Sequence, residues 1–295
     1  MGNTAWRIVT IDQACNLSYS SGRLEIETAE GSKETLPLFD IRTIVIASQQ
    51  VRLTAYLINE LRLRQVGLIF CDCKKMPASE LVGYYDHHAT SLHMREQLCW
   101  KKPIRKKVWE GIVRQKMIMQ RDLLITLQVE TDLAKWERYL GNVKAGDRSN
   151  REGQAARLYF NALFGKTFHR RQPTNINAAL NYGYAIVCSS ITRSLTAHGY
   201  HPSLGIAHRG GTNPLNFTYD LIEPFRPFVD KIVYLHKDRE LDRDYKRELV
   251  SVTRTPMIYG KKQCVLEAAV EQYVLDVAKS LTTENGKLKE TGYLP

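Results

Sequence analysis

The chain has 295 residues, 43% of them apolar, which is enough to build a substantial core and removes disorder as the default. Its 42 Lys and Arg against 31 Asp and Glu leave a net charge of +11, which favours a polyanionic partner, either nucleic acid or an anionic membrane face. No apolar run approaches the roughly 20 residues of a membrane span and the first residues carry no signal-peptide core, so a cytoplasmic protein with no membrane partner is expected.

The first ninety or so residues alternate as strands do: Trp6 to Ile11, Asn16 to Ser20, Leu24 to Thr28, Ile41 to Ala47 and Val66 to Cys71. Ser20-Ser21-Gly22 suits a hairpin turn, and one helix is expected with Leu53, Leu57, Ile58 and Leu61 on a common face. From about Ser91 the period becomes helical: Val108, Ile112, Met119 and Leu123 recur on one stripe, Ala155, Leu158 and Ala162 on another, and Asn181 to Leu195 is a further candidate. The polar tail from Thr282 is expected to be loose. These periods predict an α+β chain: an N-terminal β-rich, sandwich-like domain over 1–88, a linker over 89–100, a larger mainly α-helical domain over 101–283 and a flexible tail over 284–295.

Six cysteines (Cys15, Cys71, Cys73, Cys99, Cys188 and Cys264) follow no disulfide framework, and four have apolar neighbours that predict buried free thiols. Cys71-x-Cys73 lacks a second pair at zinc spacing, so it reads as two strand thiols. Basic residues gather in two places. Lys101, Lys102, Arg105, Lys106, Lys107, Arg114, Lys116 and Arg121 form one run, opposed there only by Glu110. Lys144, Arg148, Arg151, Arg157, Lys166, Arg170 and Arg171 form the other. Each is either a solvated face or, with Trp100 and Trp109 interleaved, a surface that tracks phosphates.

Two stretches carry candidate chemistry. In R-S-N-R-E-G-Q-A-A-R-L-Y-F, from Arg148 to Phe160, Ser149 and Glu152 form an S-x-x-E capping box, the favoured reading when Glu152 is taken alone, with a metal ligand as the sharper alternative. In G-I-A-H-R-G-G-T-N-P-L-N-F-T-Y-D-L-I-E-P-F-R-P, from Gly205 to Pro227, the Gly210-Gly211 pair lacks the rest of a phosphate loop. Asp220 and Glu223 share one face of a helical turn, and Pro224 and Pro227 make Asp220 the expected helix start. There Asp220 reads as an N-cap and Glu223 as a first-turn charge, with His208 as a loop histidine. Taken together in a basic chain, carboxylates and an imidazole suit Mg²⁺ or Mn²⁺ in a phosphodiester enzyme.

Four segments in order, S-N-R-E-G-Q-A-A-R-L-Y-F-N-A-L-F-G, I-N-A-A-L-N-Y-G-Y, L-G-I-A-H and Y-D-L-I-E-P-F-R-P-F-V-D, resemble the CRISPR-associated protein one family, the integrase of spacer acquisition, most closely its type II-A members. The likeness covers nearly the whole chain, with W-R-I-V near the start and Tyr85-x-x-His88. It implies that Glu152, His208 and Glu223 are the metal ligands, for Mg²⁺ or Mn²⁺, with Asp220 an acidic neighbour. Many relatives have Asp where this chain has Glu223.

The resemblance also implies a β-rich domain that dimerises, a helical catalytic domain, and two dimers bridged by a small partner, CRISPR-associated protein two, with the type II-A effector nuclease and accessory acquisition protein as further partners. The implied activity is a bacterial DNA integrase and endonuclease that joins the 3′-hydroxyl ends of short double-stranded DNA to CRISPR repeat DNA. Tyr85 and His88 are then candidates for contacts at the fragment, and Asn177 and Tyr184 for positions near the site. The rival readings are a metal-dependent nuclease for branched or damaged DNA and a non-catalytic nucleic-acid scaffold in which the carboxylates are only caps.

Overall fold

The structure, a computed structural model, describes residues 7–83, 87–147 and 150–294. Two compact units divide the chain, Met1–Tyr85 and Asp86–Pro295. The readings placed on Trp6, Tyr85, Arg148 and Ser149 lie outside the described residues.

The first unit runs β1 (Arg7–Ile11), β2 (Cys15–Ser20), β3 (Arg23–Thr28), β4 (Lys33–Pro37), β5 (Ile41–Ile46), β6 (Val51–Leu53), α1 (Ala55–Leu63), β7 (Gly67–Cys71) and β8 (Pro77–Glu80). They form two four-stranded sheets, ordered β1-β5-β7-β8 and β4-β3-β2-β6. Ser20 pairs with Arg23, leaving Ser21 and Gly22 as a two-residue turn with φ of 45° and 80°, the positive values a tight hairpin needs to match strand twist. Leu17, Leu24, Ile41, Ile44, Leu57, Leu61 and Leu68 from both sheets and α1 share one apolar core.

Leu53, expected on the helix, ends β6 instead. Thr54 caps α1 by accepting from the Leu57 N–H at 3.2 Å, so the chain cannot be helical before it.

The second unit holds α2 (Thr90–Cys99), α3 (Lys102–Thr126), α4 (Leu133–Gly141), α5 (Arg151–Phe164), α6 (Asn175–Ala197), α7 (Asn216–Leu221), a 3-10 turn (Glu223–Phe225), α8 (Arg226–Leu235) and α9 (Arg243–Ser251), then β9 (Pro256–Tyr259), β10 (Lys262–Val265), α10 (Leu266–Thr282) and β11 (Thr291–Tyr293). The α+β reading therefore holds, with sheets first and a mostly helical region after them. Pro103 opens α3, where its missing N–H costs nothing, and Ile104, Val108, Ile112, Met119 and Leu123 form its buried stripe. α3 packs against α5, α8 and the 3-10 turn, and α6 against α8, α9 and α10. On α5 the buried face is Ala155, Tyr159 and Leu163; Ala155 is as expected, and the other two stand one position on from Leu158 and Ala162.

Three expectations change. The segment 89–100 contains α2 where a linker was expected. Within the expected loose tail, β11 pairs antiparallel with β9, and the Tyr293 ring packs on Phe228 with centroids 4.9 Å apart, an apolar anchor for an otherwise polar stretch. All six cysteines are free, but only Cys15 and Cys188 are buried; Cys73 and Cys99 are exposed. Among the described residues no helix is long and apolar enough to cross a membrane.

Candidate active site

The carboxylate of Glu152 stands in the first turn of α5, where the helix dipole favours negative charge. The N-cap of that helix is Asn150. Asn150 takes a left-handed conformation at φ 49° and accepts from the Gly153 N–H at 3.3 Å. Asp147 accepts from the N–H groups of Arg151 at 2.8 Å and Glu152 at 3.0 Å. With these donors satisfied by others, Glu152 Oε1 turns to Lys116 Nζ at 2.7 Å.

Lys116 arrives from α3 and is 8% exposed. Its ammonium also touches Glu223 Oε2, which the 3-10 turn presents from the other side, so one cation lies between two carboxylates. Arg226, at the start of α8, donates from Nε to Glu223 Oε1 at 3.0 Å and lays its guanidinium over the Tyr184 ring. Lys116 meets Glu223 Oε2 and Arg226 meets Oε1, and a carboxylate with one partner on each oxygen keeps lone pairs for a further cation. Burial pushes the Glu223 carboxyl up, but Arg226 and Lys116 outweigh it and hold the group at about 2. Burial likewise opposes the charge on Lys116, and Glu223 and Glu152 more than restore it, raising its pKa.

Asp220 is not the start of a helix. It lies near the end of α7, fully buried, and its carboxylate faces the loop that carries His208. It accepts from three successive backbone N–H groups, Ile206 at 2.6 Å, Ala207 at 3.1 Å and His208 at 3.0 Å, and lies 2.8 Å from His208 Nδ1. Gly205 makes this wrap possible. A Cβ there would come within 2.3 Å of the His208 carbonyl oxygen and 2.8 Å of Asp220 Oδ2. With Nδ1–H given to Asp220, the imidazole has Nε2 left to face outward, the arrangement by which a carboxylate fixes a ligating histidine. The hydrogen bond to Asp220 raises the His208 pKa, against its partial burial.

Glu152 and Glu223 are thus brought together on one cation, and His208 is oriented near them. Among the described residues, however, no three His, Cys, Asp or Glu side chains are gathered so as to hold a metal as they stand. The donor types fit Mg²⁺ or Mn²⁺, two carboxylates with a spare lone pair on Glu223 and an imidazole nitrogen; the cation between the carboxylates is an ammonium.

Lys116 is the site residue that the sequence does not single out, because it stands within a basic run. It nevertheless falls four residues after Ile112 and seven before Leu123, on the apolar stripe of α3, where a solvated lysine does not belong.

A cavity of about 270 Å³ adjoins the pair, lined in part by Lys116, Tyr184, Arg226 and Asp230, which places Tyr184 beside the site. Asn177 organises the preceding loop, donating to the carbonyls of His169 at 2.8 Å and Gln172 at 2.9 Å, and accepts from Arg170, which lines the same cavity. His88 stacks on His87. Trp100 and Trp109 are buried; the Trp109 ring meets His208 edge-on at 5.8 Å.

Paired carboxylates and an oriented imidazole among cations, on a mainly helical unit, are the equipment of a phosphodiester-acting enzyme. Residues 8–256 match the family model described as CRISPR associated protein Cas1, and the chain belongs to this endonuclease and integrase family of CRISPR systems. It is 33% identical to the CRISPR-associated endonuclease Cas1 of Neisseria meningitidis serogroup C (strain 8013), over 98% of this chain and 97% of that one. It is 25% identical to a CRISPR-associated endonuclease Cas1 of Francisella tularensis subsp. novicida (strain U112), over 91% and 93%. Among solved structures, a casposase bound to integration product superposes with a TM-score of 0.80 at 18% identity, covering 96% of this chain and 93% of that one. A Cas1 protein from Thermotoga maritima gives 0.70 at 13% identity, covering 93% and 97%. A chain of a Cas6-RT-Cas1–Cas2 complex gives 0.73 at 14% identity, covering 98% of this chain and 36% of that one.

Proposed function

We propose that the protein is a metal-dependent DNA integrase that joins the 3′-hydroxyl of a short DNA fragment to a CRISPR repeat by transesterification. The observation that carries the reading is the pair Glu152 and Glu223, delivered from two separate elements to one cation position beside an outward-facing His208. Glu152, Glu223 and His208 would hold Mg²⁺ or Mn²⁺, which supplies positive charge to the scissile phosphate and acidifies the attacking hydroxyl. Asp220 holds the imidazole in one orientation. Arg226 and Arg170, both over the Tyr184 ring, add fixed positive charge for a phosphate.

The fragment's 3′-oxygen forms a new phosphorus–oxygen bond as one bond of the repeat strand breaks, and the proton lost by the first hydroxyl is balanced by one gained on the released 3′-oxygen. Because one phosphoester replaces another, no nucleotide cofactor is consumed. The likeness to a chain of the Cas6-RT-Cas1–Cas2 complex supports a small Cas2 partner for this chain, and a homodimer formed through the β-rich unit is part of the same proposal.

The test is incubation of the protein, with and without that partner, with a supercoiled repeat plasmid and fragments ending in 3′-hydroxyl or 3′-dideoxy nucleotides. Joining is expected only with free hydroxyls and only with Mn²⁺ or Mg²⁺. Glu152→Gln, whose helix keeps its Asn150 and Asp147 caps, is expected to fold and bind DNA but not to join it. Equal nicking with dideoxy ends would put water in place of the hydroxyl and make the protein a nuclease.

A further inference from the structure

The ammonium of Lys116 stands between Glu152 and Glu223, the position a divalent cation shared by those carboxylates requires. We infer that Lys116 is a resident counter-ion that holds the two carboxylates together before metal binding and must be displaced from between them as the metal enters, so that it sets the metal affinity of the site. The inference rests on the metal reading proposed above.

Charge makes displacement necessary. Glu152 and Glu223 carry two negative charges, and Lys116 and Arg226 two positive ones, so these four ion-paired groups are already neutral together. Adding a divalent cation with both basic groups in place would leave an excess of positive charge at low dielectric, which is strongly unfavourable. One of the two cations has to withdraw.

Geometry selects Lys116. Arg226 is fixed by its hydrogen bond to Glu223 Oε1 and by stacking 4.5 Å from the Tyr184 centroid. Its contact is also on the carboxylate oxygen that does not face Lys116. Lys116 is a point charge on a flexible four-carbon stem, in direct contact with both carboxylates. The adjoining cavity of about 270 Å³, lined also by Gln120 and the buried carboxylate of Asp230, gives that stem room to swing without leaving the fold.

The experiment is a titration of the folded protein with Mn²⁺ alone, followed by the electron paramagnetic resonance of free Mn²⁺ and by melting temperature. Parent, Lys116→Met, Lys116→Arg and, as a marker of the site, Glu152→Gln are compared. Removing the competitor should tighten Mn²⁺ binding in Lys116→Met by about tenfold or more. The metal-free variant should melt below the parent, and Mn²⁺ should raise its melting temperature by more than it raises the parent's.

In Lys116→Arg, a planar guanidinium that can clamp both carboxylates should weaken Mn²⁺ binding. This variant decides the matter if Lys116→Met fails to fold. Unchanged or weaker binding in Lys116→Met, or equal or tighter binding in Lys116→Arg, would overturn the displacement while leaving the metal site standing. If neither the parent nor any Lys116 variant bound Mn²⁺ more tightly than Glu152→Gln does, the metal reading and the inference would fall together.

Discussion

Glu152 and Glu223 are held by the side chains of a lysine and an arginine, whereas His208 is held by one carboxylate, Asp220, that also ties down three backbone N–H groups of its own loop. The difference follows from where the residues stand. The glutamates open a helix and a 3-10 turn whose backbones are already fixed, so only their side chains need partners, and a cation on a flexible stem can be exchanged for another. His208 sits on a stretch with no regular structure, where orienting the ring means first folding the loop. One half of the site is therefore exchangeable and the other preorganised.

The largest effect should come from breaking the preorganised half. Asp220→Asn leaves four donors facing an amide that is neutral and can accept at only one of its two polar atoms. A loss on the order of 3–5 kcal/mol is expected, as when one partner of a buried charged cluster is removed. Chemical denaturation measures it, and strand joining should fall with it even below the melting transition because the imidazole is no longer aimed. A variant that melts near the parent temperature would show that the Gly205–His208 loop is held by something else, and the contrast with the glutamate pair would disappear.

A smaller effect, of opposite pH dependence to an ordinary ion-paired carboxylate, which loses its stabilisation in acid, is expected behind the glutamate pair. Asp230 of α8 is fully buried, accepts from the hydroxyls of Tyr159 at 2.9 Å and Tyr184, and lines the cavity beside Lys116. Burial raises its pKa and the two tyrosines oppose this, leaving it at about 6 against 3.8 for the free group. Because the folded value is the higher one, the folded state holds the proton more tightly. The stabilisation is complete below the unfolded value and is lost as pH rises through about 6. Asn at this position does not titrate. The stability of the parent relative to Asp230→Asn should therefore decline by up to about 3 kcal/mol from about pH 4 to about pH 7. A flat difference would mean that Asp230 is ionised over this range, and that the cavity offers Lys116 a full negative charge across it.

The same contrast marks what the sequence could disclose. Periodicity locates the β-rich and helical halves because each depends on local alternation: Leu24 and Ile26 on one face of β3, Val108 and Ile112 on one stripe of α3. It does not find β4, β6 or β8, which are short and carry few paired apolar positions. Glu152, His208 and Glu223 stand out as candidates through ordered motifs. The role of Asp220 is not, since it hydrogen-bonds twelve to fourteen residues back along the chain, to a loop with no local signal. Asn150 is hidden by a plausible competitor, Ser149 beside it. Lys116 is obscured by neighbours of its own kind, and only its place on an apolar stripe separates it from them.

The smallest effect concerns those neighbours. Of the basic residues between Lys101 and Arg121, Lys116 is buried on carboxylates, Lys101 meets Glu284 at 2.8 Å, and Arg121 meets Glu137 at 2.6 Å. Lys107 is exposed and donates to a backbone carbonyl, that of Asn285, at 3.1 Å, a bond that leaves its charge uncompensated. If the run tracks phosphates, replacing Lys106, Lys107 and Arg114 by Ala should flatten the dependence of log K on log salt by up to about 2.7, or about 0.9 for each duplex phosphate no longer neutralised. The double replacement of Lys101 and Arg121, whose charges already have acidic partners, should flatten it less. Melting temperatures should hardly move in either variant, since exposed pairs contribute little to stability. Equal slopes for the two variants would mean that DNA strips the acidic partners away, and that the run reads phosphate by total charge; an unchanged slope in both would leave it a solvated face and assign DNA binding to the cluster around Arg151 and Arg170.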